Sequence, residues 1–160
     1  MNKANLITPA GYRLLKAEQD ELWQVERLEI TRKVAWAASL GDRSDNADYT
    51  ENKRRLRQIH GRVRFLRKRL ENIQVVHYSP EQAGKVFFGA WVTLEDEQGL
   101  IKTVQIVGSD EIYKHTSPCS IDSPLARGLI GRMVDDEVAI ETPNGRQYMT
   151  INHIEYKDKM

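Results

Sequence analysis

The sequence predicts an α+β protein of two domains, a long antiparallel helical coiled-coil hairpin followed by a small α+β domain. Leu56, Ile59, Val63, Leu66, Leu70 and Ile73 recur at alternating spacings of three and four, a heptad seam that requires a partner helix. Upstream, Leu40-Gly41-Asp42-Arg43-Ser44 supplies a helix breaker and a capping residue, so the chain reverses there. After Tyr78-Ser79-Pro80 the texture changes to alternating β-branched and aromatic residues, the pattern of strands.

Helix one should begin at Thr8-Pro9, a cap followed by proline at the first helical position, where the missing N–H costs nothing. Its apolar positions are Tyr12, Leu15, Leu22, Val25, Ile30, Val34 and Ala37, interrupted by Gln19 and Glu26 where a strict seam would want apolar groups. A short reversal at 40–46 demands antiparallel packing, so residues 9–75 form the hairpin, with Ser44 or Asp45 as candidate cap of helix two. Four strands follow, at Lys85 to Leu94, Leu100 to Val107, Val138 to Glu141 and Tyr148 to Tyr156. Glu95–Gly99 and Pro143-Asn144-Gly145 are turns, and Ser123-Pro124 opens a short helix to about Arg132. The expected domains are 1–77, with an acidic tip at 41–48, and 80–160.

The formal net charge of +1 conceals strong segregation. Residues 41–52 hold four acids and one base, residues 53–69 hold nine bases and no acid, and residues 70–160 hold 14 acids and eight bases. No apolar run approaches the roughly 18 residues that span a bilayer, and MNKANLITPAGYR lacks the apolar stretch of a signal peptide, so a cytoplasmic protein without membrane contact is expected. The single Cys119 forms no internal disulfide, and the four histidines show no zinc spacing.

Asp42, Asp45 and Asp48 lie three apart around the turn and into helix two, so two or three carboxylates can share a face. Such oxygens suit Mg²⁺, which takes one or two protein carboxylates and completes its shell elsewhere. The competing role is capping and complementing the helix dipole. With Leu56 and Val63 at heptad position a, Lys53 and Arg67 fall at e, Arg57 and Arg64 at b, and Arg54 and Lys68 at f. These positions adjoin on the wheel and place six cations on one flank, while Arg55, Arg62 and Arg69 form a separate g row. Such cations either pair with the partner helix or hold a phosphate backbone, and arginine's planar fork favours phosphate. Phe65 falls at c, off the seam, where it either packs on a neighbour or stacks a base.

The tip Gly41-Asp42-Arg43-Ser44-Asp45-Asn46-Ala47-Asp48-Tyr49, preceded by Trp36-Ala37-Ala38-Ser39-Leu40, resembles the signature of the bacterial transcript cleavage factors of the GreA/GreB family. Lys85-Val86-Phe87-Phe88-Gly89-Ala90-Trp91-Val92 and Ile121-Asp122-Ser123-Pro124-Leu125-Ala126-Arg127 extend the resemblance over the full chain, and with the basic flank they bring it closest to the GreB branch. The resemblance implies that the coiled coil enters the secondary channel of RNA polymerase and that the second domain, FKBP-like in fold, docks at the rim. It further implies that Asp42 and Asp45, with Asp48 as a third candidate, hold Mg²⁺ jointly with the polymerase. The factor, a monomer and not itself an enzyme, would thereby stimulate endonucleolytic cleavage at the 3′ end of backtracked nascent RNA. Lys53, Arg54, Arg57, Arg64, Arg67 and Lys68 would hold the extruded RNA. Two departures stand out: Asp45 replaces the family's usual Glu, and Asp135 replaces the glycine of its Val-Gly-Asp turn. The alternatives are a secondary-channel regulator without cleavage and a general nucleic-acid-binding coiled coil; prolyl isomerase activity would rest on fold analogy alone.

Overall fold

The computed structural model describes residues 5–41 and 46–157. The chain divides into two compact units, Arg13–Asn72 and a second unit that joins the residues up to Tyr12 to those from Ile73 onward.

In the first unit, one arm runs from α1 (Pro9–Glu21) through a π-helical turn, Leu22–Glu26, into α2 (Arg27–Ser39). The returning arm is α3 (Ala47–Glu71). Leu22, Ile30, Ile59 and Val63 form the buried core, with Trp23, Val34 and Leu56 partly buried against it. The π turn explains the interrupted seam of the first arm. Buried positions fall at Leu15, Leu22, Ile30 and Ala37, so the step across the turn is eight residues where its neighbours are seven. A π turn accommodates one extra residue and resets the phase. Without it the stripe would have continued through Glu29, Lys33 and Trp36. Val25, expected in the seam, lies inside this turn and is exposed.

The seam of α3 is buried at Ile59, Val63 and Leu66, but its last expected member leaves the helix. Ile73 begins β2 (Ile73–Val75), which pairs in parallel with β1 (Asn5–Ile7). The expected division at 77/80 is therefore displaced, because both ends of the hairpin sequence belong to the sheet-bearing unit.

That unit contains a five-stranded sheet. Its strands are β3 (Trp91–Asp96), β4 (Ile101–Val107), β5 (Pro118–Ser120), β6 (Glu137–Thr142) and β7 (Gly145–Glu155), in the order β5-β4-β3-β7-β6. All neighbours are antiparallel except β4 and β5. The short helix α4 (Pro124–Leu129) starts as expected, with the Ser123 hydroxyl accepting the Ala126 N–H at 3.1 Å. Ala126 and Leu129 join Val92, Leu94, Ile106, Val138, Ile140 and Ile151 in the core. The hairpin at Pro143-Asn144 is present, closing between Thr142 and Gly145. Residues 85–90, expected to begin a strand, form only a single bridge from Lys85 to Met133. Gly84 just before this stretch and Gly89 within it take φ +84° and +88°, outside the strand region. Tyr156 fills the gap in pairing: its hydroxyl accepts the Phe87 N–H at 2.9 Å and donates to the Lys85 carbonyl. Burial pushes this phenol above its ordinary pKa, opposed by the Phe87 N–H.

Glu111 ties the first residues of the chain into this unit. Its fully buried carboxylate accepts the Thr8 N–H at 2.8 Å, the Thr8 hydroxyl, the Gly108 N–H at 2.9 Å, and lies 2.6 Å from His115 Nε2. Thr8 is at the same time the cap of α1, since its hydroxyl accepts the Gly11 N–H at 3.0 Å. A side chain at Gly11 would collide with the Glu111 carboxylate, which its bonds hold in place. No helix among the described residues is long and apolar enough to cross a membrane.

Candidate nucleic-acid interface on the helical hairpin

Asp42 and Asp45 lie outside the described residues. The described residues on either side link the two arms. Asn46 caps α3, accepting the Tyr49 N–H at 3.1 Å, while its side-chain N–H donates to the Ala37 carbonyl of α2 at 2.7 Å. The cap is thus Asn46, two residues after Ser44 and one after Asp45, the expected candidates. Gly41 takes φ +114° at the end of the outgoing arm, and Trp36 and Leu40 are both 60% exposed just before it. Asp48 is exposed in the first turn of α3, placed to complement the helix dipole or to offer an oxygen outward.

The cations of α3 divide into two populations. In the g row, Arg55 Nε lies 2.5 Å from Glu26 Oε1, and Arg62 makes a two-pronged contact with Glu18 at 2.7 and 3.1 Å. Arg69 sits over the Phe65 ring at 5.4 Å. Glu26 was an interruption in the apolar stripe; its role is to meet Arg55. The hydrogen bond from that guanidinium, reinforced by its charge and opposed by slight burial, holds the Glu26 carboxyl below its usual range and raises Arg55.

The e, b and f positions are different. Lys53 rests on the Tyr49 ring at 5.2 Å, and Arg54 meets Glu51 at 3.3 Å in a solvent-exposed contact. Arg57, Arg64, Arg67 and Lys68 are exposed and have no ion-pair partner among the described residues. An outer coiled-coil face normally mixes signs; here uncompensated positive charge runs along three turns. Sequence reasoning did not mark His60, which shares the e row with Lys53 and Arg67 and meets Trp23 edge-on at 5.5 Å. Arg27 covers the Trp23 ring at 4.1 Å. The heptad count would have placed His60 in that row; its contact is with Trp23 of the π turn.

Fold and surface together define a class: a helical hairpin with an open cationic face and an acidic turn sequence, joined to an α+β unit. Family comparison agrees with this and narrows it. The model described as "Transcription elongation factor, N-terminal" matches residues 5–75, and "Transcription elongation factor, GreA/GreB, C-term" matches residues 81–156. Transcription elongation factor GreB of Vibrio cholerae is 58% identical over 156 residues, 97% of each chain. The GreB of Pseudomonas syringae pv. tomato is 56% identical over 152 residues, 95% of this chain and 97% of its own. Among solved structures, GreA factor homolog 1 of Thermus thermophilus matches at 24% identity over 96% of this chain and 99% of its own, with a TM-score of 0.43. The chain belongs to the GreA/GreB family of transcription elongation factors.

Proposed function

We propose that this protein binds RNA polymerase in the cytoplasm, inserts its helical hairpin in the secondary channel and stimulates Mg²⁺-dependent cleavage at the 3′ end of backtracked RNA. The supporting observation is the division of cations on α3: the g row is paired to the opposite arm, while Arg57, Arg64, Arg67 and Lys68 have no ion-pair partner among the described residues. A structural role accounts for the first set and not for the second. Phosphates, which arginine and lysine contact without reading sequence, account for the second.

Asp42 and Asp45 would hold the metal, with Asp48 as a third candidate. The donor set fits: carboxylate oxygens are the ligands Mg²⁺ prefers, and two or three of them leave the shell for a partner to complete. Bound there, the ion would supply the second positive centre of a two-metal phosphodiester cleavage. The chain's own residues bring anionic oxygens on the turn of the hairpin and phosphate-binding cations behind them. It acts as an accessory to the polymerase active site, not as a free-standing nuclease, and works as a monomer. The sheet-bearing unit, which we take as FKBP-like, would dock on the polymerase.

The test is RNA release from a purified backtracked complex. Asp42→Ala and Asp45→Ala should each abolish stimulation while polymerase binding persists. Asp45→Glu should increase it, since Asp reaches about 1.5 Å less far and misplacement on that scale can cost about 10²-fold in rate. Retained cleavage in both alanine variants would overturn the ligand role, and no stimulation of cleavage by the parent protein would leave a channel regulator as the correct reading. Arg57→Glu with Arg64→Glu should impair cleavage of long backtracked transcripts more than of short ones; equal loss would count against RNA holding.

A further inference from the structure

Gly61 is an anomaly within the cationic flank. Glycine is the poorest helix former after proline, and here it occupies the middle of the 25-residue α3. No packing explains it: a side-chain carbon built at Gly61 would meet nothing within 4 Å. Helical geometry sets its neighbours one turn away, at positions three and four removed, as Arg57, Gln58, Arg64 and Phe65. Arg57 and Arg64 are two of the cations without an ion-pair partner among the described residues. Phe65 is 43% exposed on the solvent side of the helix. Side chains on a helix lean toward its N-terminus, which carries the Phe65 ring toward the turn where Gly61 leaves space. The guanidinium groups of Arg62 and Arg69 each stand 5.4 Å from the centre of this ring, farther than the 4.1 Å of Arg27 over Trp23, so a stacked base would displace at least one of these long, exposed side chains.

We propose that Gly61 is a notch for one nucleotide of a single-stranded RNA, with the base stacked on Phe65 and the flanking phosphates on Arg57 and Arg64. The three components of a sequence-tolerant single-strand site are present together: a cationic track, an aromatic face and room between them. The inference rests on the reading of the flank as an RNA-holding surface and adds to it a base contact and a position. Every base presents a π-face, so the site would grip any transcript, as a factor acting at arbitrary positions requires.

The experiment measures binding of a fluorescein-labelled 12-nucleotide oligouridylate by the full chain, by fluorescence anisotropy over a range of salt concentrations. Phe65→Leu should weaken binding about fivefold or more, and leave the slope of log K against log salt unchanged because no phosphate contact is lost. Phe65→Tyr should bind as the parent does. Gly61→Gln should weaken binding at least threefold although it replaces glycine with a better helix former, so its unfolding temperature should not fall. Arg57→Gln should instead reduce the salt slope, by about 0.7 for one single-strand phosphate contact. Parental affinity in both Phe65→Leu and Gly61→Gln would overturn the notch, and so would equal affinity for a duplex of the same length, whose paired bases cannot stack on Phe65. If Arg57→Glu with Arg64→Glu binds as the parent does, or if the parent shows no binding at low salt, the flank reading itself fails and the notch with it.

Discussion

Asp135 has φ +74°, the one non-glycine residue at positive φ among those described. Its backbone is held there by the N–H bond to the Ile151 carbonyl at 2.7 Å. The left-handed region penalises residues with a Cβ, although aspartate tolerates it better than most. Asp135→Gly should therefore stabilise the protein by about 0.5–1 kcal/mol, net of glycine's greater unfolded-state entropy. Chemical denaturation measures this directly, and a loss of stability would show that the side chain contributes something the backbone angle does not reveal. The sequence identifies the substitution against the family's pattern, but not its conformation, which depends on the strand that captures its N–H.

At the scale of elements, the returning arm was legible except at its ends because its seam obeys one period, and the outgoing arm only in part because a π turn breaks its period in two. Deleting Gln24 within that turn should convert it to ordinary α-helix while keeping Leu15, Leu22, Ile30 and Ala37 on one face. The unfolding temperature should change little. Deleting Lys33 instead offsets everything beyond it, Val34 and Ala37 included, by about 100° around the helix, and should lower it by roughly 10 °C. Circular dichroism melts of the two deletions decide the point; equal losses would mean the π turn is not a register device. The e, b and f flank was readable from residue spacing alone, since exposure on a helix follows angle. The short strands were not: β1 and β2 have three residues each and pair across more than 60 positions, while β5 opens on Pro118.

At the scale of the whole molecule, the difference between the expected domains and the compact units has the same origin. Glu111 lies 103 residues from Thr8, its partner, a separation at which no local pattern connects them. A fragment beginning at residue 78 would leave the buried Glu111 carboxylate without both Thr8 donors. Two hydrogen bonds to a charged group contribute about 3–6 kcal/mol, a large share of the roughly 5–15 kcal/mol that holds a domain together. That fragment should lose its cooperative thermal transition, whereas residues 1–12 joined by a short glycine-serine linker to residue 73 onward should recover it. Cooperative unfolding of the fragment from residue 78 would make Thr8 and the first strand dispensable. The candidate site, in contrast, lies within one continuous stretch of sequence, so its residues can be proposed without any long-range contact.

Because β1 and β2 are neighbours, the helical hairpin between them is topologically an insertion, entering and leaving the sheet-bearing unit side by side. An insertion of this kind has an adjustable length. Removing one heptad from each arm would bring its turn about 10 Å closer to its base, with both seams still in phase and the capped turn unchanged. The length of the hairpin can therefore change in discrete steps without altering the two strands between which it is inserted.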